Sequence, residues 1–231
     1  MPDAFLSLAD QRVVILDGAM GTNLHRYDPT DADWGGREFV NLCDVVALTH
    51  PEWIREIHRS FLAVGCDAVE TNTFSGSRHV LAEYGLADKC YDLSVLNSRI
   101  AREAVAEFNT ANRPRFVIGS VGPGTKQPSI TDPGIAIDFD SLYQSYLPHM
   151  RGLIDGGVDA ILIETCFDIL QAKCAVICAL DAMREKGVRL PLMVQVTILD
   201  NGTMLAGSDM ATVIGTEVVL VGSTPIHQRR Q

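Results

Sequence analysis

The sequence is short of positive charge. It carries 19 Lys and Arg against 29 Asp and Glu, a net charge of −10 with a pI of about 5.0. A nucleic-acid surface needs a basic patch, so that class of partner is set aside. Long apolar runs are missing as well. No stretch approaches the ~20 apolar residues of a membrane span, which sets aside a membrane partner. Met1–Arg12 lacks the basic end and apolar run of a secretory signal, so a cytoplasmic location is the default expectation. C-x-x-C, H-E-x-x-H and G-x-S-x-G do not occur, and the six histidines fall at no metal-ligand spacing. No short repeat, linker or low-complexity tract precedes about residue 215.

What is present is a soluble-protein composition, 47% hydrophobic and 21% charged, on 231 residues, which suits one substantial core. Several of the six cysteines (Cys43, Cys66, Cys90, Cys166, Cys174 and Cys178) sit in apolar runs. They read as reduced thiols that pack as small hydrophobes. Cys174 and Cys178 are spaced i, i+4 on an expected helix, where core packing is the better reading than a metal site.

A strand-then-helix pattern recurs along the chain. Arg12–Leu16 is a short run rich in β-branched residues that closes on Asp17-Gly18. Thr49-x-x-Glu52 has the form of a capping box with Pro51 in the first turn, and Ile54, Ile57, Phe61 and Leu62 follow at helical spacing up to Gly65. Further strands are expected at Asp67–Glu70, Phe116–Gly119, Val158–Ile163 and Leu192–Ile198. Helices are expected around 93–105, 143–154 and 169–183. Such alternation means a parallel sheet with helical crossovers, either an open doubly wound sheet or a (β/α)8 barrel. No G-x-G-x-x-G follows the first strand. Polar residues close successive strands (Asp17, Glu70, Ser120, Glu164 and Thr197), and both facts lean toward the barrel.

Three strand ends carry candidate chemistry. The turn Asp17-Gly18-Ala19-Met20-Gly21-Thr22 has two glycines that would let a ligand approach the backbone and its N–H groups; a plain tight turn explains it equally well. Glu70-Thr71-Asn72-Thr73-Phe74 clusters polar side chains that either touch a ligand or satisfy one another. Glu164 follows a wholly apolar run, and a buried carboxylate there needs a partner, either a substrate ammonium or a structural arginine. For Gly119-Ser120-Val121-Gly122-Pro123-Gly124, a turn with no ligand is the better reading.

Six segments taken in order resemble the homocysteine-binding domain of cobalamin-dependent methionine synthases. They are Leu16–Thr22 (LDGAMGT), Leu48–His58 (LTHPEWIREIH), Gly65–Ser77 (GCDAVETNTFSGS), Ala101–Ala104 (AREA), Arg115–Pro123 (RFVIGSVGP) and Gly156–Lys173 (GGVDAILIETCFDILQAK). The resemblance implies an α/β fold of the (β/α)8 TIM-barrel type, incomplete here with about five βα units. It implies homocysteine as substrate, its amino-acid end held by Asp17, Gly18, Ala19, Met20 and Gly21, its ammonium met by Glu164, and Glu70, Thr71 and Asn72 lining the same mouth. The reaction implied is methyl transfer to the homocysteine thiol to give methionine.

The resemblance also exposes a departure. A thiol of pKa ~8.5 is mostly protonated at neutral pH, and coordination to zinc deprotonates it. Family members hold that zinc with three late cysteines, whereas this sequence has no cysteine after Cys178. No metal ligand and no catalytic residue is therefore assigned to it. D-x-H-x-x-G is also absent, so cobalamin and methyltetrahydrofolate would bind modules not present in this chain. We expect a partial homocysteine-binding barrel over 1–215 and a divergent tail over 216–231, as a truncation or reading-frame change would leave it. Such a chain would be inactive alone, with open sheet edges that self-associate or accept a C-terminal fragment. A non-catalytic homocysteine-binding module and a fragment without function stay open as alternatives.

Overall fold

In a computed structural model of the chain, residues 3–214 are described; the expected tail over 216–231 lies outside them. The elements follow in order as α1 (Asp3–Gln11), α2 (Met20–Leu24), α3 (Val46–Thr49), α4 (Pro51–Val64), β1 (Ala68–Glu70), α5 (Arg78–Glu83), α6 (Cys90–Phe108), β2 (Phe116–Val121), α7 (Phe139–Gly156), β3 (Ala160–Cys166), α8 (Ile169–Lys186) and β4 (Leu192–Val196).

The four strands are parallel and lie in chain order, β1-β2-β3-β4. The expected first strand at 12–16 is reduced to one parallel bridge, Leu16 to Ala68, with Ile15 O accepting from the Asp67 and Ala68 N–H groups. Its reduction has a physical cause. Among the described residues it is the edge of the sheet, and Val13 and Ile15 are exposed. Sequential order without reversal is what one arc of a barrel gives, whereas a doubly wound sheet reverses direction part-way.

The two faces of the sheet agree with such an arc. Val69, Val117, Ile161 and Ile163 point into one core, where they meet Leu62 of α4, Ala101 and Ala104 of α6, Met150 and Leu153 of α7, and Val176 and Ala179 of α8. Ala68, Phe116, Ile118, Ala160 and Leu162 point the other way, against Phe5 of α1. Phe5 meets Phe116 edge-on, with ring centroids 5.4 Å apart. The four long helices thus share one face, as barrel helices do.

Local chemistry sets the helix limits. Asp138 and Asp168 cap α7 and α8 by accepting from the N–H groups of Ser141 and Leu170. Gly65, Gly157 and Gly187 close α4, α7 and α8 in left-handed conformation, which glycine adopts at little cost. The capping box expected at Thr49 does not form. Thr49 ends α3, and its hydroxyl donates to the carbonyls of Asp33 and Val46. His50 takes the cap position instead, held between Asp33 and Glu52 at 2.8 Å each. Cys174 and Cys178 are fully buried in the helix-side core, which explains their spacing by packing.

Candidate functional site

The C-terminal ends of β1, β2 and β3 line a cavity of about 360 Å³. All nine residues expected from the sequence line it: the turn from Asp17 to Gly21, the end of β1 from Glu70 to Asn72, and Glu164 on β3. Ser120, at the end of β2, lines it too, although its loop reads in the sequence as a turn without a ligand.

The turn is built differently from its sequence reading. Its left-handed residue is Ala19 (φ 57), while neither Gly18 nor Gly21 has positive φ. At Gly18 a Cβ would meet nothing within 4 Å, so the backbone there lies in open space beside the cavity. Asp17 ties the turn down: its Oδ1 accepts from the Glu70 N–H at 2.7 Å. Behind it, the fully buried His58 places Nδ1 3.5 Å from Asp17 Oδ2, in ion-pair range but outside hydrogen-bond geometry.

The three polar residues at the end of β1 divide by role. Thr71 Oγ1 accepts from the Ser120 N–H at 3.0 Å and lies 2.6 Å from the Thr73 hydroxyl, so it braces two strand ends. Asn72 donates to the Cys43 carbonyl at 2.7 Å and fastens the 41–44 segment to the sheet. Glu70 contributes its carboxylate to the cavity. Burial, then the neighbouring Glu164 and Asp17 charges, push its pKa up to about 8. Burial likewise raises Glu164 above the ordinary carboxylate range; the hydrogen bond from Ser120 opposes the rise and Asp17 adds to it. Ser120 Oγ donates to Glu164 Oε1 at 2.5 Å.

Sequence reasoning missed the part of the wall formed by Asn41, Cys43 and Asp44, which Phe74 and Ser75 complete. Residues 43–45 form a 3-10 turn in a stretch with no strand or helix period, so no pattern marked them. Asp44 is 1% exposed, and burial pushes its pKa up to about 7 against hydrogen bonds from its own N–H and that of Ser75. Among the described residues, the lining therefore has four carboxyl groups, from Asp17, Asp44, Glu70 and Glu164, and no Lys, Arg or His. A cavity so lined suits a small ligand carrying a positive charge.

Zinc does not fit the described residues. No three His, Cys, Asp or Glu side chains among them are grouped to hold an ion. Cys43 is the single cysteine of the described residues in the cavity lining, and one thiol does not make a zinc site. Among the described residues, no helix is long and apolar enough to cross a membrane.

Comparison with known proteins agrees with this geometry. The family model for homocysteine S-methyltransferase matches residues 14–222. The methionine synthase of Mycobacterium tuberculosis is 41% identical over 209 residues, covering 90% of this chain and 17% of that protein. That of Mycobacterium leprae is 41% identical over 204 residues, covering 88% of this chain and 16% of that protein. The chain thus spans about a sixth of the length of these relatives. Among solved structures, the metallated form of the homocysteine methyltransferase MmuM from Escherichia coli superposes with a TM-score of 0.74 at 21% identity, over 93% of this chain and 73% of that one. Its oxidized form gives 0.73 at 22% identity, over 96% and 73%. At such identity these neighbours speak for the fold, a TIM barrel of which this chain covers part. The family match over most of the sequence speaks for descent: the chain belongs to the homocysteine S-methyltransferase family, as a domain related to methionine synthase.

Proposed function

We propose that the cavity holds homocysteine by its amino-acid end, and that the chain is the substrate-holding part of a homocysteine S-methyltransferase. The observation that carries this reading is a lining of four carboxyl groups with no cationic side chain among the described residues. A substrate ammonium is the complement of that lining, and Glu164, Glu70 and Asp17 are its contacts. The substrate carboxylate lies on the backbone of Gly18–Gly21, where the first N–H groups of α2 have no partner within the helix. Ala19 and Met20 complete that turn. Thr71 and Asn72 act by holding the strand end and the 41–44 segment in place.

What these residues do is bind and orient. Placing the reacting sulfur reproducibly is a contribution to rate in itself. Zinc would activate the thiol in the family reaction; the described residues do not fit it, and no activating step is assigned to them. Cobalamin and methyltetrahydrofolate belong to modules outside this chain. We place the protein in the cytoplasm. Its open edge at 12–16 is covered by further chain or by self-association, because exposed Val13 and Ile15 flank backbone groups without a strand neighbour on that side among the described residues.

Calorimetric titration of L-homocysteine under reducing conditions tests the reading. One site per chain is expected. Glu164→Gln should weaken it by about 10- to 100-fold, the value of a charged hydrogen bond at about 1.5–3 kcal/mol. Equal affinity of the variant and the parent would overturn the role of Glu164.

A further inference from the structure

We infer that His58 is a positioning residue: its buried imidazole directs an Nδ1–H at Asp17 and fixes the plane of the carboxyl group that the turn brings to the cavity. The functional consequence rests on the reading of Asp17 as an ammonium contact, whereas the pairing itself does not.

His58 stands where the helix calls for an apolar residue. The buried residues of α4 are Ile54, Ile57, His58 and Leu62, and His58 lies four residues from both Ile54 and Leu62, in the apolar stripe. It is 0% exposed, and neither ring nitrogen has a hydrogen-bond partner among the described residues. An apolar side chain would fill the same space without desolvating two nitrogens. Packing alone does not account for a histidine there.

The charged group in reach is Asp17, whose Oδ2 lies 3.5 Å from Nδ1. The Asp17 side chain is itself only 4% exposed, so little water screens the pair. A neutral imidazole carries its proton on Nδ1 or on Nε2, and an imidazolium carries one on each. A proton on Nε2 alone would leave the Nδ1 lone pair facing a carboxylate oxygen, two negative ends in a dry interior. A proton on Nδ1 turns the same contact into an attraction. The neighbour decides the question, and Nδ1 carries a proton. Contacts of this kind are often long before a ligand arrives and tighten with it.

The other oxygen completes the arrangement. Oδ1 accepts from the Glu70 N–H at 2.7 Å, on the side of β1. Oδ2 meets His58 from the side of α4. With its two oxygens held by two different elements, the carboxyl group is not free to rotate. The lone pairs left over remain for a ligand in the cavity that Asp17 lines. A contact fixed before binding spares the ligand the cost of ordering it.

The first test needs no ligand. Nitrogen-15 NMR of the full chain, labelled at histidine, reads which ring nitrogen of His58 carries a proton, and His58→Asn identifies the signals by their loss. A protonated Nδ1 whose signal moves in Asp17→Asn is expected. That substitution keeps the oxygen that accepts from the Glu70 N–H and removes the charge. A proton on Nε2 alone, or signals indifferent to Asp17→Asn, would overturn the inference.

L-homocysteine and 4-sulfanylbutanoate, which lacks the amino group, are then titrated into the parent, His58→Asn and His58→Leu. The amide nitrogen of His58→Asn can stand where Nδ1 stands, and affinity for L-homocysteine within about threefold of the parent is expected. His58→Leu keeps the bulk and removes the donor. A loss of about fivefold or more is expected for L-homocysteine, with 4-sulfanylbutanoate changed by less than about twofold. An equal loss for both ligands is what a packing defect gives, and it overturns the inference; so does a His58→Leu protein that binds like the parent. Should His58→Leu not fold, His58→Met, apolar and adaptable in shape, is read in the same way. A parent that binds no L-homocysteine sinks the ammonium reading of Asp17, while the NMR experiment still decides whether His58 holds it.

Discussion

Ser120 and Glu164 meet across neighbouring strand ends, with the hydroxyl donating to the carboxylate at 2.5 Å. The bond favours the charged form of a carboxyl that burial pushes the other way. Ser120 is itself held twice: its N–H donates to Thr71, and its carbonyl accepts from Thr73 at 2.8 Å. Ser120→Ala should therefore leave the strand ends in place and remove one bond from Glu164. We expect L-homocysteine to bind about 3- to 10-fold more weakly, near 1 kcal/mol, by calorimetry. Unchanged affinity would show that Ser120 does not prepare Glu164.

The raised pKa of Glu70 makes binding pH-dependent. Below about 8 this carboxyl is protonated, and an arriving ammonium must displace the proton. Affinity should rise between pH 6 and 8 by up to about tenfold per unit, until the ligand amino group itself deprotonates. Glu70→Gln should flatten that rise. A parent profile already flat across this range would remove Glu70 from the contact.

The same shift works against stability. A carboxyl whose folded-state pKa lies above its unfolded value contributes stability that is full below the ordinary carboxylate range. That stability is lost as pH rises through about 8 for Glu70 and about 7 for Asp44. Glu70→Gln should thus match the parent near pH 4 and exceed it at pH 8.5, by about 1–2 kcal/mol. Denaturant melts at the two pH values check the sign.

Asp67 anchors the edge segment. Only 2% exposed, it accepts from both terminal nitrogens of Arg12 at 2.7 Å and from the Ile15 N–H at 3.0 Å. The hydrogen bond from Arg12 comes first among the causes that hold its pKa below the ordinary range, so this stability is present above that range and lost as pH falls through the depressed value. Asp67→Asn should lower stability by about 2–3 kcal/mol at pH 7 and by less in acid. A uniform loss across pH would mean that charge is not the cause.

Gly152 lets α7 lie against α6. A Cβ there would come 2.6 Å from Ser94 Cβ and 2.7 Å from the Tyr91 carbonyl, and the backbone cannot step aside as a side chain could. Gly152→Ala should cost about 1–3 kcal/mol despite alanine's better helix propensity, as read by urea melts. A stabilised variant would mean a looser helix pair.

Much of this architecture is legible in the sequence because buried parallel strands read as apolar runs that stop on a polar residue. Ser120 and Glu164 are visible for that reason, and so is the turn at Asp17. Chemistry carried by irregular backbone is not visible. Asp44 sits in a 3-10 turn with no period to betray it. Asp17-Gly18-Ala19 puts its left-handed residue at alanine, against the preference that makes glycine informative. Thr49 and Glu52 fit a capping box by spacing, yet tertiary contacts from Asp33 to Thr49 and His50 decide that end of the helix. β3 belongs with these, since it reads as continuous and hides the register shift between Ile163 and Cys166.

The central claim is that the carboxylate-lined cavity recognises an ammonium on a thiol amino acid. The most direct measurement compares calorimetric titration of L-homocysteine with 4-sulfanylbutanoate, the same molecule without its amino group. Binding of the amino acid with a loss of at least about tenfold for the deaminated acid is the result expected of one charged hydrogen bond. Equal binding of the two, or tighter binding of the deaminated acid, would contradict the account.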